Sequence, residues 1–193
     1  MSLIHIPSVL IHPEKEWESL LKQSEVERDE ELRTDDREYL ITMLISEACH
    51  KYDPAGFLHP TPALLFALAP HPHDGVSLEK ERKLREEVAS QMLIALGLFP
   101  NLLFREARTE QSLLVLAHAS ERAFTHLGPF IRNEKERRRC ERFSEHLFRY
   151  VDILLSLHEQ VNQERLPRIV LRLLARAGSK FAKDVLLPPA RRH

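Results

Sequence analysis

The sequence predicts an all-α fold with a single bundle-like domain, and three observations support this prediction. Leu, Glu, Arg and Ala, which are typical of helices, are abundant in the 193 residues. Apolar residues recur at helical spacing along most of the chain. The five glycines and twelve prolines fall outside the interiors of the predicted helices. A chain of this length can bury one sizeable core, so we place one domain over residues 1–193.

Six or seven helices follow from the positions of proline and glycine. The predicted segments are 13–28, 34–52, 61–69, 77–97, 109–128, 130–162 and about 167–178. We expect residues 1–12 to form an extended arm and residues 179–193 to form a basic tail that opens with a short turn. The expected helix starts are Pro13, Thr34 or Asp35, Pro62, Ser77, Thr109, Pro129 and Pro167, and Gly97, Gly128 and Gly178 are expected to end helices.

Two of these helices are expected to organise the bundle. Helix 109–128 contains "LLVLAHA", which is apolar nearly all round, so we place it at the centre. Helix 130–162 is long, and its apolar stripe consists of Phe143, Leu147, Tyr150, Leu154, His158 and Val161. Its first half, "RNEKERRRCER", has almost no stripe and is expected to project from the domain. At 1.5 Å per residue such a helix spans roughly 50 Å, which favours contact with a second copy in a homodimer.

Composition narrows the class of protein. The formal net charge is -1 and the pI is about 6.8, so the total charge does not support general binding to polyanions. Cys49 and Cys140 are far apart in sequence, which is unlike a disulfide scaffold or zinc ribbon and suits a reducing compartment. The N-terminal residues lack the pattern of a signal peptide, and no apolar run has the length of a membrane span. We therefore expect a soluble cytoplasmic protein.

The stretch "HPTPALLFALAPHPHDG", residues 59–75, is dense in histidine and proline. The prolines predict a short helix between two stiff corners, because a residue before proline favours extended backbone. His71 and His73 point the same way in extended backbone, so with Asp74 they could hold a metal. The alternative is that the histidines simply occupy an exposed loop, and we favour that alternative.

The same stretch resembles the metal-binding segment of the HD-domain phosphohydrolases. An apolar segment leads into His73-Asp74, while His50 lies upstream and Asp152 lies far downstream. In that family, which is all-helical, a His, an adjacent His-Asp pair and a distant Asp bind the metal. The resemblance therefore implies a metal-dependent phosphohydrolase that uses these residues.

The stretch also departs from the family pattern. Pro70, Pro72 and Gly75 predict a loop where the family has a helix, and no lysine follows in the usual place. We therefore keep the phosphohydrolase as an alternative and do not assign the chain to the family.

A second metal alternative comes from two helices. Glu47 and His50 are three residues apart, as are His118 and Glu121, so each pair lies on one helical face. Helical bundles hold two metal ions with Glu-x-x-His pairs of this kind, although only the first pair has that order. We expect instead that each pair is a buried polar pair, and that no metal or other cofactor is bound.

Cys140 lies among four arginines, Arg137, Arg138, Arg139 and Arg142. Nearby positive charge lowers the pKa of a thiol and favours the reactive thiolate. No histidine or asparagine is placed to complete a nucleophilic site, so we expect a surface thiol without a catalytic role.

Charge is unevenly distributed along the chain. Residues 1–60 carry 13 acidic and 6 basic residues, whereas residues 165–193 carry 8 basic residues and one acidic residue. Four of these bases, Arg165, Arg168, Arg172 and Arg176, are spaced to line one face of the last long helix. Such a face can bind an acidic protein, nucleic acid or an anionic membrane. It can also simply face the acidic N-terminal helices, which is the arrangement that we expect.

These observations favour a non-catalytic binding or regulatory protein that acts through helix surfaces, with a protein partner or a second copy as ligand. A metal-dependent helical enzyme is the first alternative. Association with nucleic acid or an anionic membrane through the arginines is the second. The residue pattern does not specify a partner or a small-molecule substrate.

Overall fold

The computed structural model describes residues 13–48, 69, 74–101, 110–162 and 165–187. The helices with defined bounds are α1 (Pro13–Arg28), α2 (Thr34–Ala48), α3 (Leu78–Leu98), α4 (Glu110–Leu127), α5 (Glu134–Glu145), α6 (Leu147–Asn162), α7 (Arg168–Ala177) and α8 (Lys180–Leu186). No β-strand occurs in these parts of the chain, so the all-α class is confirmed. The predicted arm 1–12 and the predicted helix 61–69 lie outside the described residues.

Local hydrogen bonds explain several helix ends. Ser77 caps α3, since its hydroxyl accepts a hydrogen bond from the Lys80 amide at 3.3 Å. Asn133 caps α5 in the same way, accepting from the amides of Lys135 and Glu136. Gly178 ends α7 with φ of 129°, a backbone conformation that favours glycine.

The core is centred on α3 and α6. Between Val88 and Leu98 in α3, every residue except Gln91 is buried. This half of α3 packs against α4 and α6, and α6 packs in turn against α1 and α8. α4 contacts α3, α5 and α7, as expected for helix 109–128 near the centre, but it keeps an exposed face. The centre of the described core is therefore shared by α3, α4 and α6.

The structure corrects the predicted helix 130–162. A 3-10 turn, Gly128–Phe130, follows α4, and α5 begins only at Glu134. The helix is then interrupted at His146, whose φ of -123° and ψ of 32° are not helical. α5 can therefore pack on α4 and reach α2 instead of projecting. The homodimer predicted from a projecting helix loses that support.

A polar network fixes α5 against the start of α2. Arg142 pairs with Asp36 and lies 2.8 Å from a carboxylate oxygen of Asp35, while the Tyr150 hydroxyl donates to Asp36 at 2.9 Å. Phe143 stacks on Tyr150 with ring centroids 3.9 Å apart. The predicted stripe is confirmed, because its residues from Phe143 to His158 are buried. The stripe did not predict the ion pairs beside it, because these pairs depend on the break in the helix at His146.

The residues after Gly178 form a helix where a turn was predicted. Ser179 caps α8 by accepting from the Ala182 amide at 3.0 Å, and its own hydroxyl donates to Asp152 at 2.5 Å. Phe181 and Ala182 are buried. The first part of the predicted tail is therefore packed against the domain.

An ion pair between Glu81 and Arg85, one turn apart in α3, is fully buried. The Arg85 guanidinium donates to the Glu81 carboxylate at 2.6 Å and to the Ala69 carbonyl at 2.6 Å. It also lies 4.5 Å from the ring centroid of Phe130. This one side chain thus connects α3 with residue 69 and with the 3-10 turn.

The close approach of α3 and α6 gives the first prediction. A Cβ added at Gly97 would lie 2.9 Å from Leu154 Cδ1 and closer still to Leu154 Cβ. Gly97→Ala should therefore lower the free energy of unfolding by about 1–3 kcal/mol through overpacking, although alanine stabilises an ordinary helix interior by about 1 kcal/mol relative to glycine. Thermal and urea unfolding measure the change. Gly128→Ala is the control, because the nearest atom to its Cβ is Arg137 Cγ at 4.0 Å; a more stable Gly97→Ala protein would contradict the packing.

The buried ion pair gives the second prediction. Arg85→Ala removes a buried cation that pairs with the Glu81 carboxylate, which should lower the free energy of unfolding measured in urea by about 3–5 kcal/mol. Arg82→Ala is the matched control in the same helix, since Arg82 pairs with Glu86 at the same spacing but both side chains are about one third exposed. The free energy of unfolding of the Arg82→Ala control should fall by no more than about 1 kcal/mol. Equal losses in the two variants would show that burial does not decide the effect.

Candidate functional site

The predicted basic face lies on α7, a strongly amphipathic helix. Its buried side consists of Val170, Leu171, Leu173 and Leu174. Arg168, Arg172 and Arg176 are exposed on the opposite side. At 100° and 1.5 Å per residue, these three positions fall within a sector of about 80° and span about 12 Å. We call them the arginine face.

Arg165 is not held in the arginine face by the helix. It is exposed, but it lies in the non-helical residues before α7, whose N-cap is Pro167. Burial raises the pKa of Glu159, and Arg165 opposes that rise, which places Arg165 in the electrostatic field of α6. Of the four arginines in the predicted stripe, three therefore lie on α7, and Arg165 lies in the non-helical segment that precedes α7.

Contrary to the expected arrangement, Arg168 and Arg172 of the arginine face do not pair with the described acidic residues of the N-terminal helices. In the described residues Arg168 and Arg172 make no ion pair, and α7 contains no acidic residue. Several acidic residues of the first two helices and their loop pair elsewhere, for example Asp36 with Arg142 of α5 and Glu30 with Arg149 of α6. The reason is geometric, since α7 packs against α4 and α8.

A cleft of about 730 Å³ lies where the end of α1, the α5–α6 junction and the start of α8 meet. Its carboxylates outnumber its permanent cations by six to three. The carboxylates are those of Asp29, Glu30, Glu121, Glu145, Asp152 and Asp184, and the cations are Arg28, Arg149 and Lys180. Because these residues come from separate segments of the chain, local sequence patterns do not reveal the cleft as a whole. The run "RDEE" at residues 28–31 was the one local signal for it.

Three of these carboxylates are already engaged. Glu30 lies 2.8 Å from Arg149 Nε, and Asp184 lies 2.8 Å from Arg28. Asp152 accepts from the Ser179 hydroxyl and from the Lys180 amide; burial raises the pKa of Asp152, and these hydrogen bonds act in the opposite direction.

The other three carboxylates, those of Asp29, Glu121 and Glu145, are exposed. Asp29 and Glu145 form no ion pair with any described residue, and Glu121 approaches only His118 Nδ1 at 3.7 Å. The cleft therefore presents carboxylates on three elements, the α1–α2 loop, α4 and α5, without a matching number of cations.

The structure does not assemble the predicted metal site of the helical bundle in its described part. His118 and Glu121 lie on the exposed face of α4, with side chains 78% and 51% exposed, so they are not the buried pair that we expected. His50 and the side chain of Glu47 lie outside the described residues. No group of three or more metal-binding side chains is found in the parts of the chain that the structure describes.

Of the residues that resemble the phosphohydrolase site, Asp74 and Asp152 lie in the described part of the chain. Asp74 is exposed in a turn, whereas His73 and His50 lie outside the described residues. Asp152 is buried and its two oxygens accept hydrogen bonds from the start of α8. The residue that the resemblance assigned as the distant ligand thus has a structural partner in this fold.

Cys140 is buried, so the prediction of a surface thiol is wrong. Burial raises the pKa of its thiol to about 12, and the nearby Arg139 lowers it only in part. The guanidinium of Arg139 lies 4.0 Å from the ring centroid of Tyr39 instead. The arginines around Cys140 in sequence therefore do not activate it.

Comparisons of the chain with models of protein families, with curated sequences and with solved structures gave no match. None of the described helices is both long enough and apolar enough to cross a bilayer. The arginine face and the cleft are therefore interpreted from their own geometry and charge.

The raised pKa of Cys140 gives the third prediction. In a Cys49→Ser variant, which leaves Cys140 as the single thiol, a disulfide reagent at pH 8 should react at least about a hundredfold more slowly with the native protein than with the unfolded protein. The absorbance of the released thiolate measures both rates, and the same variant in concentrated guanidinium is the control. Rapid reaction in native buffer would contradict the burial of Cys140.

Proposed function

We propose that this protein is a non-catalytic helical binding protein whose arginine face on α7 engages an acidic surface of a protein partner. The observation that carries the proposal is the exposure of Arg168, Arg172 and Arg176 on one side of a helix that has no acidic residue. The opposite side of α7 is buried in the core, so the orientation of the face is fixed.

The spacing of the arginine face suits an acidic helix as ligand. Guanidinium groups repeat at each turn of α7, about 5–6 Å apart, which is also the repeat of carboxylates at i and i+4 on a partner helix. Arginine forms bidentate hydrogen bonds with carboxylates, so each turn offers a directional contact. Half-buried Ile169 and Ala175 flank the arginines and add apolar area beside the charged contacts.

The same geometry argues against insertion into a membrane. A helix that binds in the membrane interface buries its apolar side among the lipids. In α7 that side consists of Val170, Leu171, Leu173 and Leu174, which the protein core already covers. The near-neutral total charge also gives no long-range attraction to nucleic acid. An acidic protein surface is the ligand that needs only the exposed side of α7.

The fourth prediction tests this proposal with poly-L-glutamate as the acidic probe. Wild type should bind the probe at low salt, and Arg168→Glu with Arg172→Glu should weaken binding by roughly tenfold or more, because two attractive contacts become repulsive. Raising the salt to 0.3 M should weaken wild-type binding as well. Fluorescence anisotropy of a labelled probe measures the affinity.

The matched control is Arg137→Glu with Arg138→Glu, which changes the total charge equally. These two arginines are exposed on α5, where both pair with Glu134. The control variant should keep at least half of the wild-type affinity. Equal loss in both variants, or tighter binding of a DNA duplex or phosphatidylserine vesicles than of polyglutamate at the same salt, would overturn the proposal.

A further inference from the structure

One wall of the cleft is the short helix α8. Two of its residues, Lys180 and Asp184, line the cleft. Within the described residues, α8 is joined to the bundle at one end, through Gly178 and Ser179. The φ of Gly178 is 129°, and a residue without a Cβ can leave such a conformation for another at little steric cost. The connection between α7 and α8 therefore has the properties of a hinge.

The apolar contact between α8 and the bundle is small. Phe181 and Ala182 are buried, whereas four of the other five residues of α8 are exposed. In α3, by contrast, every residue between Val88 and Leu98 except Gln91 is buried. A segment with few buried apolar contacts opens at a lower free energy than the core of the same protein. The opening of α8 alone should therefore require much less free energy than the unfolding of the bundle.

Polar contacts hold α8 closed at two points. At the first, Arg28 of α1 pairs with Asp184 at 2.8 Å, and its guanidinium lies 5.3 Å from the ring centroid of Phe181. At the second, Asp152 of α6 accepts hydrogen bonds from a hydroxyl and an amide at the start of α8. The side chain of Asp184 is 60% exposed, so water and salt compete for the first contact.

The second contact has an electrostatic cost. Asp152 is buried, and burial raises the pKa of its carboxyl, although the hydrogen bonds from α8 and the charge of Arg28 oppose that rise. The charged carboxylate has thus lost hydration that its neutral hydrogen-bond donors do not fully replace. Opening of α8 would return this carboxylate to water. The burial of Asp152 therefore favours opening and works against the contacts of Arg28.

We propose that α8 is a lid on the cleft, which opens about Gly178 while the rest of the bundle stays folded. The closed lid forms one wall of the cleft and covers Asp152. The open lid removes that wall and adds the Asp152 carboxylate to those that the cleft presents. Arg28 is the latch, because it holds α8 through both an ion pair and a cation–π contact. The lid does not depend on the arginine face.

Hydrogen exchange of the wild-type protein tests whether α8 opens separately. The amides of Lys183 and Leu187 donate to carbonyls within α8. Relative to their intrinsic rates, they should exchange at least about a hundredfold faster than the amides of residues 92–96 in α3. Low concentrations of urea should change the α8 rates little, because opening exposes little surface. Equal protection and equal urea dependence in the two helices would overturn the proposal.

Substitutions at the latch test what holds the lid. Arg28→Ala should accelerate exchange in α8 by roughly tenfold and leave α3 unchanged, because it removes both contacts of the latch. Asp184→Asn removes the ion pair but keeps the ring contact, so it should accelerate exchange in α8 by a smaller factor. The matched control is Lys22→Ala, whose exposed ion pair with Glu18 lies within α1. This control should leave both helices unchanged.

Chemical labelling of carboxylates tests whether opening uncovers Asp152. Carbodiimide coupling to glycine ethyl ester, followed by mass spectrometry, should label Asp152 much more slowly than the exposed Asp29 in the wild-type protein. Arg28→Ala should accelerate labelling of Asp152 by roughly tenfold, as it does exchange in α8, and leave Asp29 unchanged. Unchanged labelling of Asp152, or equal acceleration of exchange in α3 and α8, would overturn the proposal.

Discussion

The close approach of α3 to α6 at Gly97 is the constraint on which the rest of the structure depends. Because residue 97 has no Cβ, the Leu154 side chain packs directly against the α3 backbone. One turn further along α6, a ring nitrogen of His158 lies 2.7 Å from the Leu98 carbonyl at the end of α3. These contacts fix the two helices on which α1, α4 and α8 pack.

The charged groups are arranged around that core in a way that explains the two candidate surfaces. Basic residues of α5, α6 and α8 pair with acidic residues of α2 and of the loop before it, as Arg142 does with Asp36 and Arg149 with Glu30. α7 packs on α4 and α8, and its residues Arg168 and Arg172 do not take part in those pairs. The cleft thus has more carboxylates than permanent cations, and α7 carries arginines but no acidic residue. This separation is the physical basis of the proposed binding to an acidic partner.

Local signals predicted much of the fold and part of the candidate site. Ser77 and Gly178 end their helices as expected, because a cap or a positive φ depends on a few neighbouring residues. The exposure of Arg168 and Arg172 followed from helical periodicity alone. Arg165 was assigned to the same face from its spacing alone, although Pro167 was the expected start of the helix. Proline at the N-cap, here Pro167, places it before the helix.

Local patterns were thus enough to predict the all-α class, the helices that start at residues 13, 34 and 78, and the amphipathic character of α7. The bend at His146, the burial of Cys140 and the cleft that Asp29, Glu121 and Glu145 share arise from the packing of the helices. Helical periodicity and caps arise from residues within a turn or two of each other. The bend, the buried thiol and the cleft instead depend on contacts between segments that are far apart in sequence, such as Arg142 with Asp36, and no local pattern encodes those contacts.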